Sequence, residues 1–513
     1  MALFEPATNV YLCKNVPLNN TYQDTIQFNS QTEQAQYFYD HAYIRFDNFS
    51  YQRELSAIRV PRNCEVLNGV CYAAYQNANF GNKWFYAFVT RIEYVSPNTS
   101  LVYLEQDYFQ TWWWDFDLDE CFVERETPAT DTPGDNLLPE PVSGLVYKRT
   151  GIMSDLSSDM DGIDPNAFCY VLATTLNPDG TSVKGYVTQS VFTGAIYKVY
   201  NIYQIEALAN DLQNWPAGKE NAVLAIYTFP LPYAITNDDN NLVNCATKNY
   251  TYDIPTTNGS YTPRNKKLLT YPYTYLCVDN NQGQTKEYRY ELFTSANAQF
   301  ECTGSIAPGV TFYLYPTNYD GVTRAYWEML TLSNFPMGSW NYDTYRQWFA
   351  QNSNSMAASL ISNGLNIASG LLAGNVSASA GGLGGLASNM VTMWGKDADM
   401  QVLPPTFKGS LNVTNGNYSI RHQCYSAYNV YLEPNIAERI DSFFDRYGYS
   451  VMTNKLPNYT SRTKWNYVKT NGCILHGNCP LDAITAIKAA WDRGITIWHT
   501  TDVGNYSVSN TFA

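Results

Sequence analysis

At 513 residues the chain exceeds one comfortable hydrophobic core, and roughly two to four domains are expected. Its 43 Tyr, 23 Phe and 12 Trp, with only 15% charged residues, favour strands and turns, so the fold class reads as mainly β, of the α+β kind. A net charge of −14 argues against a nonspecific grip on nucleic acid and suits a channel wall along which DNA slides without sticking.

The N-terminal segment MALFEPATNVYLCKNV carries an early acid and no apolar run long enough for a signal peptide. The 11 cysteines are odd in number and lack paired spacing, which argues against a disulfide framework and for folding in a reducing cytoplasm. Residues 1 to 125 read as short alternating strands. Asn9–Val16 stops at Pro17 and Ala57–Val60 stops at Pro61. Trp84–Val95, closed by Ser96-Pro97-Asn98-Thr99 and followed by Leu101–Glu105, is a hairpin signal. A Pro/Gly/Asp-rich break from Pro128 to Pro141 marks a boundary. Further strands run to Trp327, punctuated at Asn177–Gly180 and Asn237–Asn241. Tyr342–Ser355 reads as a helical lead-in. After Pro404-Pro405 strand-like sequence resumes, then an amphipathic helix, Ile436–Tyr447, capped by Gly448. A second helix, Leu481–Arg493, ends at Gly494 before a last strand, Ile495–His499. No internal repeat is visible.

Between the lead-in and Pro404 lies the most unusual stretch. From Gln347 to Gly395 the chain runs 49 residues without one charged side chain. A membrane-active segment, a buried helical hairpin and a low-complexity linker all fit such a run. Its first arm, Met356–Val376, is long enough to span a bilayer core of ~30 Å as a helix. Ile361, Leu365, Ala368, Leu372 and Val376 fall on one helical face. Leu360, Ile361, Leu365, Ile367, Leu371, Leu372 and Val376 together contribute roughly −2 to −4 kcal/mol to insertion. Asn363, Asn366, Asn375 and the serines largely offset that, so one copy is marginal and several copies would be decisive. The second arm, with Leu383, Leu386, Met390, Val391, Met393 and Trp394, is too short to span alone. Gly370–Gly374 and Gly381–Gly385 have the small-xxx-small spacing that lets helices touch in lipid.

Other constellations are thinner. Asp115-Phe-Asp-Leu-Asp119 with Glu126 resembles a calcium loop, but Glu120 stands where the sharp turn needs Gly, and a strand with an acidic face, which could equally line a DNA lumen, reads better. Cys473, His476 and Cys479 are evenly spaced, yet zinc needs a fourth ligand, which only Cys424 or His499 could supply through the fold. The four histidines, His41, His422, His476 and His499, accompany no nucleophile, phosphate or paired-metal motif. No catalytic residue, metal or cofactor is therefore expected. Carboxylate pairs for glycan hydrolysis depend on spatial pairing, which sequence leaves open.

Several blocks carry a resemblance. They are Asn9-Val-Tyr-Leu12, Tyr51-Gln-Arg53, Ile58–Pro61, Asn82–Phe88, Gln110-Thr-Trp112 and Phe122–Glu126, then Pro434–Ile440, Tyr447-Gly-Tyr449, Asn466–Lys469 and Gly494–His499. In these the chain resembles the tail-knob, or distal tail-tube, proteins of small short-tailed phages of the picovirus and Bacillus-phage type. The middle, 130 to 330, carries no close match. The resemblance implies a hexameric β-rich tube at the virion tail tip, through which genomic DNA leaves without sequence-specific binding. It implies other tail proteins and the host membrane as partners. It also implies an apolar loop per subunit that plugs the tube and then opens a membrane pore. The expected division is a tube domain at 1–127, an inserted β-rich domain at 128–330, lead-in and loop at 331–403, and 404–513 completing the tube. The rival readings are a tail-associated enzyme degrading host-surface glycans and a receptor-binding spike.

Overall fold

The computed structural model describes, with short gaps, residues 8–132, 138–179, 187–219, 222–320, 329–339, 410–412 and 424–513. The chain divides into two compact units. Met1–Val142, Thr257–Leu268 and Glu433–Ala513 form the first, and Ser143–Thr256 with Leu269–Leu432 the second. Both are built mainly of strands, which places the chain in the mainly β class.

The first unit begins with β1 (Thr8–Lys14), β2 (Asp24–Ile26), β3 (Ala42–Phe49), β4 (Tyr51–Gln52), β5 (Ala57–Val60), β6 (Val70–Asn77), β7 (Trp84–Ser96) and β8 (Thr99–Gln106). All but β2 form one antiparallel sheet in the order β3-β1-β6-β7-β8-β5-β4. The β7–β8 hairpin turns at Pro97-Asn98, with Ser96 opposite Thr99, as the punctuation predicts. β1 stops at Lys14 rather than Val16, because Asn15 adopts a left-handed φ of +58° that breaks the pleat. Successive side chains point to opposite faces of a strand, so this sheet feeds two cores. Val10 and Leu12 meet Ile58, Val60, Ala73, Ala87, Val102 and Leu104 on one face. Cys13 joins Tyr72, Tyr86 and Phe88 on the other, where they pack with Phe38 of helix α1 (Gln31–Asp40) and Phe109 of the short helix α2 (Tyr108–Trp112). Phe38 lies flat on Tyr72 at 4.9 Å.

The second sheet of this unit joins the two ends of the described chain. β2 runs parallel to Ile495–Trp498, which pairs with Trp465–Asn471, then Cys121–Glu126, then Tyr449–Lys455. The helices Pro434–Tyr447 and Leu481–Arg493 flank these strands in sequence, as their spacing predicts. The first of them starts at Pro434, a residue suited to the opening turn, and stops at Gly448. Gly448 has φ +63°, and a Cβ there would sit 2.0 Å from the Glu126 carbonyl oxygen. Only glycine fits.

The second unit is organised around Phe168–Thr174, buried along its whole length between Ile196–Asn201 and Val223–Pro230. Burial on both faces explains the unbroken apolar run Phe168-Cys-Tyr-Val-Leu-Ala173. A second sheet pairs Lys248–Asp253, Asn297–Ser305, Thr311–Pro316 and Leu330–Leu332. A third pairs Leu145–Arg149, Ser426–Leu432, Thr274–Asp279 and Thr285–Tyr288. Alternation along Asn297–Ser305 buries Ala298, Phe300 and Cys302 in the same core as Phe312, Leu314 and Leu332. Each full burial of such a side chain contributes about 1.5–3 kcal/mol.

Candidate functional site

The expected lead-in helix Tyr342–Ser355 and every residue expected to act in the apolar loop, from Met356 through Leu372 and Val376 to Met393 and Trp394, lie outside the described residues. Among the described residues no helix is long and apolar enough to cross a membrane. The site that can be built is therefore the frame of the first unit.

Two motifs that look separate in sequence meet there. Phe116–Leu118 (β9) pairs antiparallel with Leu475–Gly477, placing Leu118 opposite Leu475 and Asp117 opposite His476. The Asp119 amide donates to the Ile474 carbonyl at 3.0 Å, and the Asn478 amide to the Asp115 carbonyl at 2.9 Å. The acidic run is thus an extended ladder, as the strand reading predicts. Its carboxylates do not converge: Asp115 is bonded to Lys83, and an Asp119 oxygen lies 2.7 Å from His476 Nε2. Cys473 turns inward beside Cys121, and burial pushes its thiol up to about 12. A neutral buried thiol is an inert packing group. Among the described residues no group of three or more His, Cys, Asp or Glu side chains converges to hold a metal.

The histidines serve structure. His41 Nδ1 lies 2.8 Å from the Tyr37 carbonyl at the end of α1. His499 Nε2 lies 3.0 Å from Asn466 Oδ1, and burial lowers its pKa, favouring the neutral ring. His422 lies outside the described residues.

What sequence reading missed is a set of buried and half-buried carboxylates that clamp distant segments. Asp441, fully buried on the helix Pro434–Tyr447, accepts from the Tyr261 hydroxyl at 2.7 Å, the Arg264 amide at 2.7 Å and the Asn265 amide at 3.0 Å. It also takes the Asn265 side-chain amide at 2.6 Å, so its lone pairs are spent on Thr257–Leu268. Asp445, one turn on, accepts from Asn265 at 2.8 Å and pairs with Arg264 at 2.6 Å. These two carboxylates are neighbours, but both are committed to holding the returning segment. Glu126 binds Lys455 and accepts from the Asn458 amide at 2.9 Å. Glu140 meets Arg125 and the buried Lys267; burial pushes its carboxyl up, but those two cations outweigh burial and hold it below its ordinary value. A sequence signal existed for Asp441 and Asp445, which stand four residues apart on the side of the helix that carries Ala437 and Phe444.

Residues 6–117 match the family model for the N-terminus of caudoviral major tail proteins. The fold and this match define a viral tail protein. Residues 234–511, more than half of the chain, match the C-terminal domain model of tail knob protein gp9 of Bacillus phage phi29, and the chain belongs to that tail knob family. It is 25% identical to the tail knob protein gp9 of Bacillus phage PZA and 24% identical to that of Bacillus phage phi29, over 98% of this chain and of each relative. The structure of the bacteriophage C1 tail knob protein, gp12, shares the fold with a TM-score of 0.66 at 16% identity, covering 99% of this chain and all of that one. The family is one of structural tail components of the virion, not of enzymes.

Proposed function

We propose that the chain forms a hexameric, DNA-conducting tube at the tail tip, whose apolar loops close the exit and then insert into the host membrane to open a pore for the genome. The supporting observation is the uncharged run from Gln347 to Gly395 in a chain of the tail knob family. Each loop is marginal for insertion alone, so gathering six makes insertion cooperative while leaving the single chain soluble during assembly. The wall charge of −14 per copy keeps DNA phosphates from sticking. In this reading the first unit, which holds 1–127 and 433–513, builds the tube, the second holds the inserted domain, and 331–403 carries the lead-in and loop. The chain is made in the host cytoplasm, joins other tail proteins and meets the host membrane.

The test is dye release from liposomes by the purified protein beside a variant lacking 353–394. Leakage only with the loop present is expected. Replacing Leu365 and Leu371 by Asp should spare ring assembly, read by analytical ultracentrifugation, and abolish leakage. Leakage that survives both changes would sink the pore mechanism. A glycan-degrading enzyme would instead lose function on one acidic substitution, and a receptor-binding spike would bind cells without disturbing liposomes.

A further inference from the structure

The first unit has a small cleft that the clamps leave unused. It is about 270 Å³ and is lined by Trp84, Trp114, Gln31, Asn82, Lys83 and Asp115, with Gln34 and Thr111 at its wall. That volume falls just below the about 300–1,000 Å³ of pockets for drug-sized ligands, which suits a single ring.

The lining chemistry narrows the ligand. Trp114 is 38% exposed, but its indole N–H is already donated to Gln34 Oε1 at 3.3 Å. Gln34 is buried and fixed in turn by donating to the Gln110 carbonyl at 2.8 Å and side-chain oxygen at 2.9 Å. The indole is therefore held in place with its polar edge satisfied, and it offers a ligand only its ring surface. Lys83 carries the one positive charge among the described lining residues, bonded to Asp115 and lying 3.5 Å over the Trp112 ring. With that pair mutually neutralised, the described lining has no charge to spare for an anion or a cation. Among the described residues the side-chain amides of exposed Gln31 and Asn82 have no hydrogen-bond partner, so planar donor–acceptor groups remain at the rim.

We infer that this cleft binds one ring of a neutral saccharide, with its C–H face on the indoles and its hydroxyls on the amides and Asp115. Among the described residues Asp115 is the only carboxylate in the lining, and hydrolysis of a glycosidic bond uses two. The cleft is thus a holding site without cleavage. It lies apart in sequence from the apolar run, so its failure and that of the pore reading are separate outcomes.

The experiment titrates the full-length protein with maltotriose, an N-acetylglucosamine trimer and neutral sugars released from host cell walls, followed by tryptophan fluorescence and calorimetry. Saturable binding of at least one neutral sugar is expected. Trp114→Ala should weaken it about tenfold, the loss of one ring-stacking contact. Gln31→Ala, at an exposed first-turn helix position, should weaken it about threefold without disturbing the fold. No saturable binding across the neutral panel overturns the inference, as does binding that both variants leave unchanged.

Discussion

The two units solve the same problem, a large β-rich core, by different means. The first gathers three separated stretches of chain and ties them with buried charge: Asp441 onto Tyr261, Arg264 and Asn265, Glu126 onto Lys455, and Glu140 onto Arg125 and Lys267. The second relies on apolar strands. Two of its buried tyrosine hydroxyls donate to backbone carbonyls: Tyr227 to Ile306 at 2.5 Å, and Tyr425 to Phe312 at 3.0 Å and Leu330 at 3.1 Å. Apolar burial is strong but non-directional. A short returning segment such as Thr257–Leu268 offers little apolar area, so directional, charge-assisted bonds fix where it lies.

Substitutions can break that contrast. The largest effect is expected from Asp441→Ala, which strands the Arg264 and Asn265 amides and costs about 3–5 kcal/mol. Hydrogen exchange should show the loss in the first unit, and protection of 257–268 that survives the change would refute the clamp. In the second unit Leu314→Ala should cost about 3 kcal/mol by leaving a cavity, with the fall confined to that unit's amides.

A pH titration sharpens the comparison further. Asp107, buried beside Tyr72 in the first unit, is pushed up to about 7 by burial, although the Gln110 amide and Tyr72 hydroxyl favour its ionised form. Its ordinary value is 3.8, so between about 4 and 7 the folded state holds a proton that the unfolded state has lost. Stability should therefore fall as pH rises through that window, by up to about 1.4 kcal/mol per pH unit. Asp107→Asn should flatten the slope of the urea midpoint against pH. An unchanged slope would assign it to other groups.

Smaller effects complete the series. Tyr425→Phe keeps the ring and loses one hydroxyl, for about 1 kcal/mol. His476→Ala breaks an exposed pair with Asp119, its side chains 69% and 48% accessible, and should change the thermal midpoint very little, within about 0.5 kcal/mol. If His476→Ala cost as much as Asp441→Ala, burial would not be what gives these carboxylates their hold.

Local features were legible in the sequence because local physics makes them. Alternation drew the strand Ala57–Val60 and the β7–β8 hairpin, helical spacing drew the helices ending at Tyr447 and Arg493, and Gly448 and Gly494 marked their stops. The uncharged run from Gln347 to Gly395, on which the pore proposal rests, is likewise a property of sequence alone. Only the tertiary structure decided that the acidic run at 115–119 pairs with 473–479, that Asp24–Ile26 lies along Ile495–Trp498, and that Thr257–Leu268 returns to the first unit. Those contacts join residues more than a hundred positions apart, and no short-range periodicity encodes a partner at that distance. The same holds for the cleft at Trp84 and Trp114: the sequence supplies its residues, and the fold alone brings them to one wall.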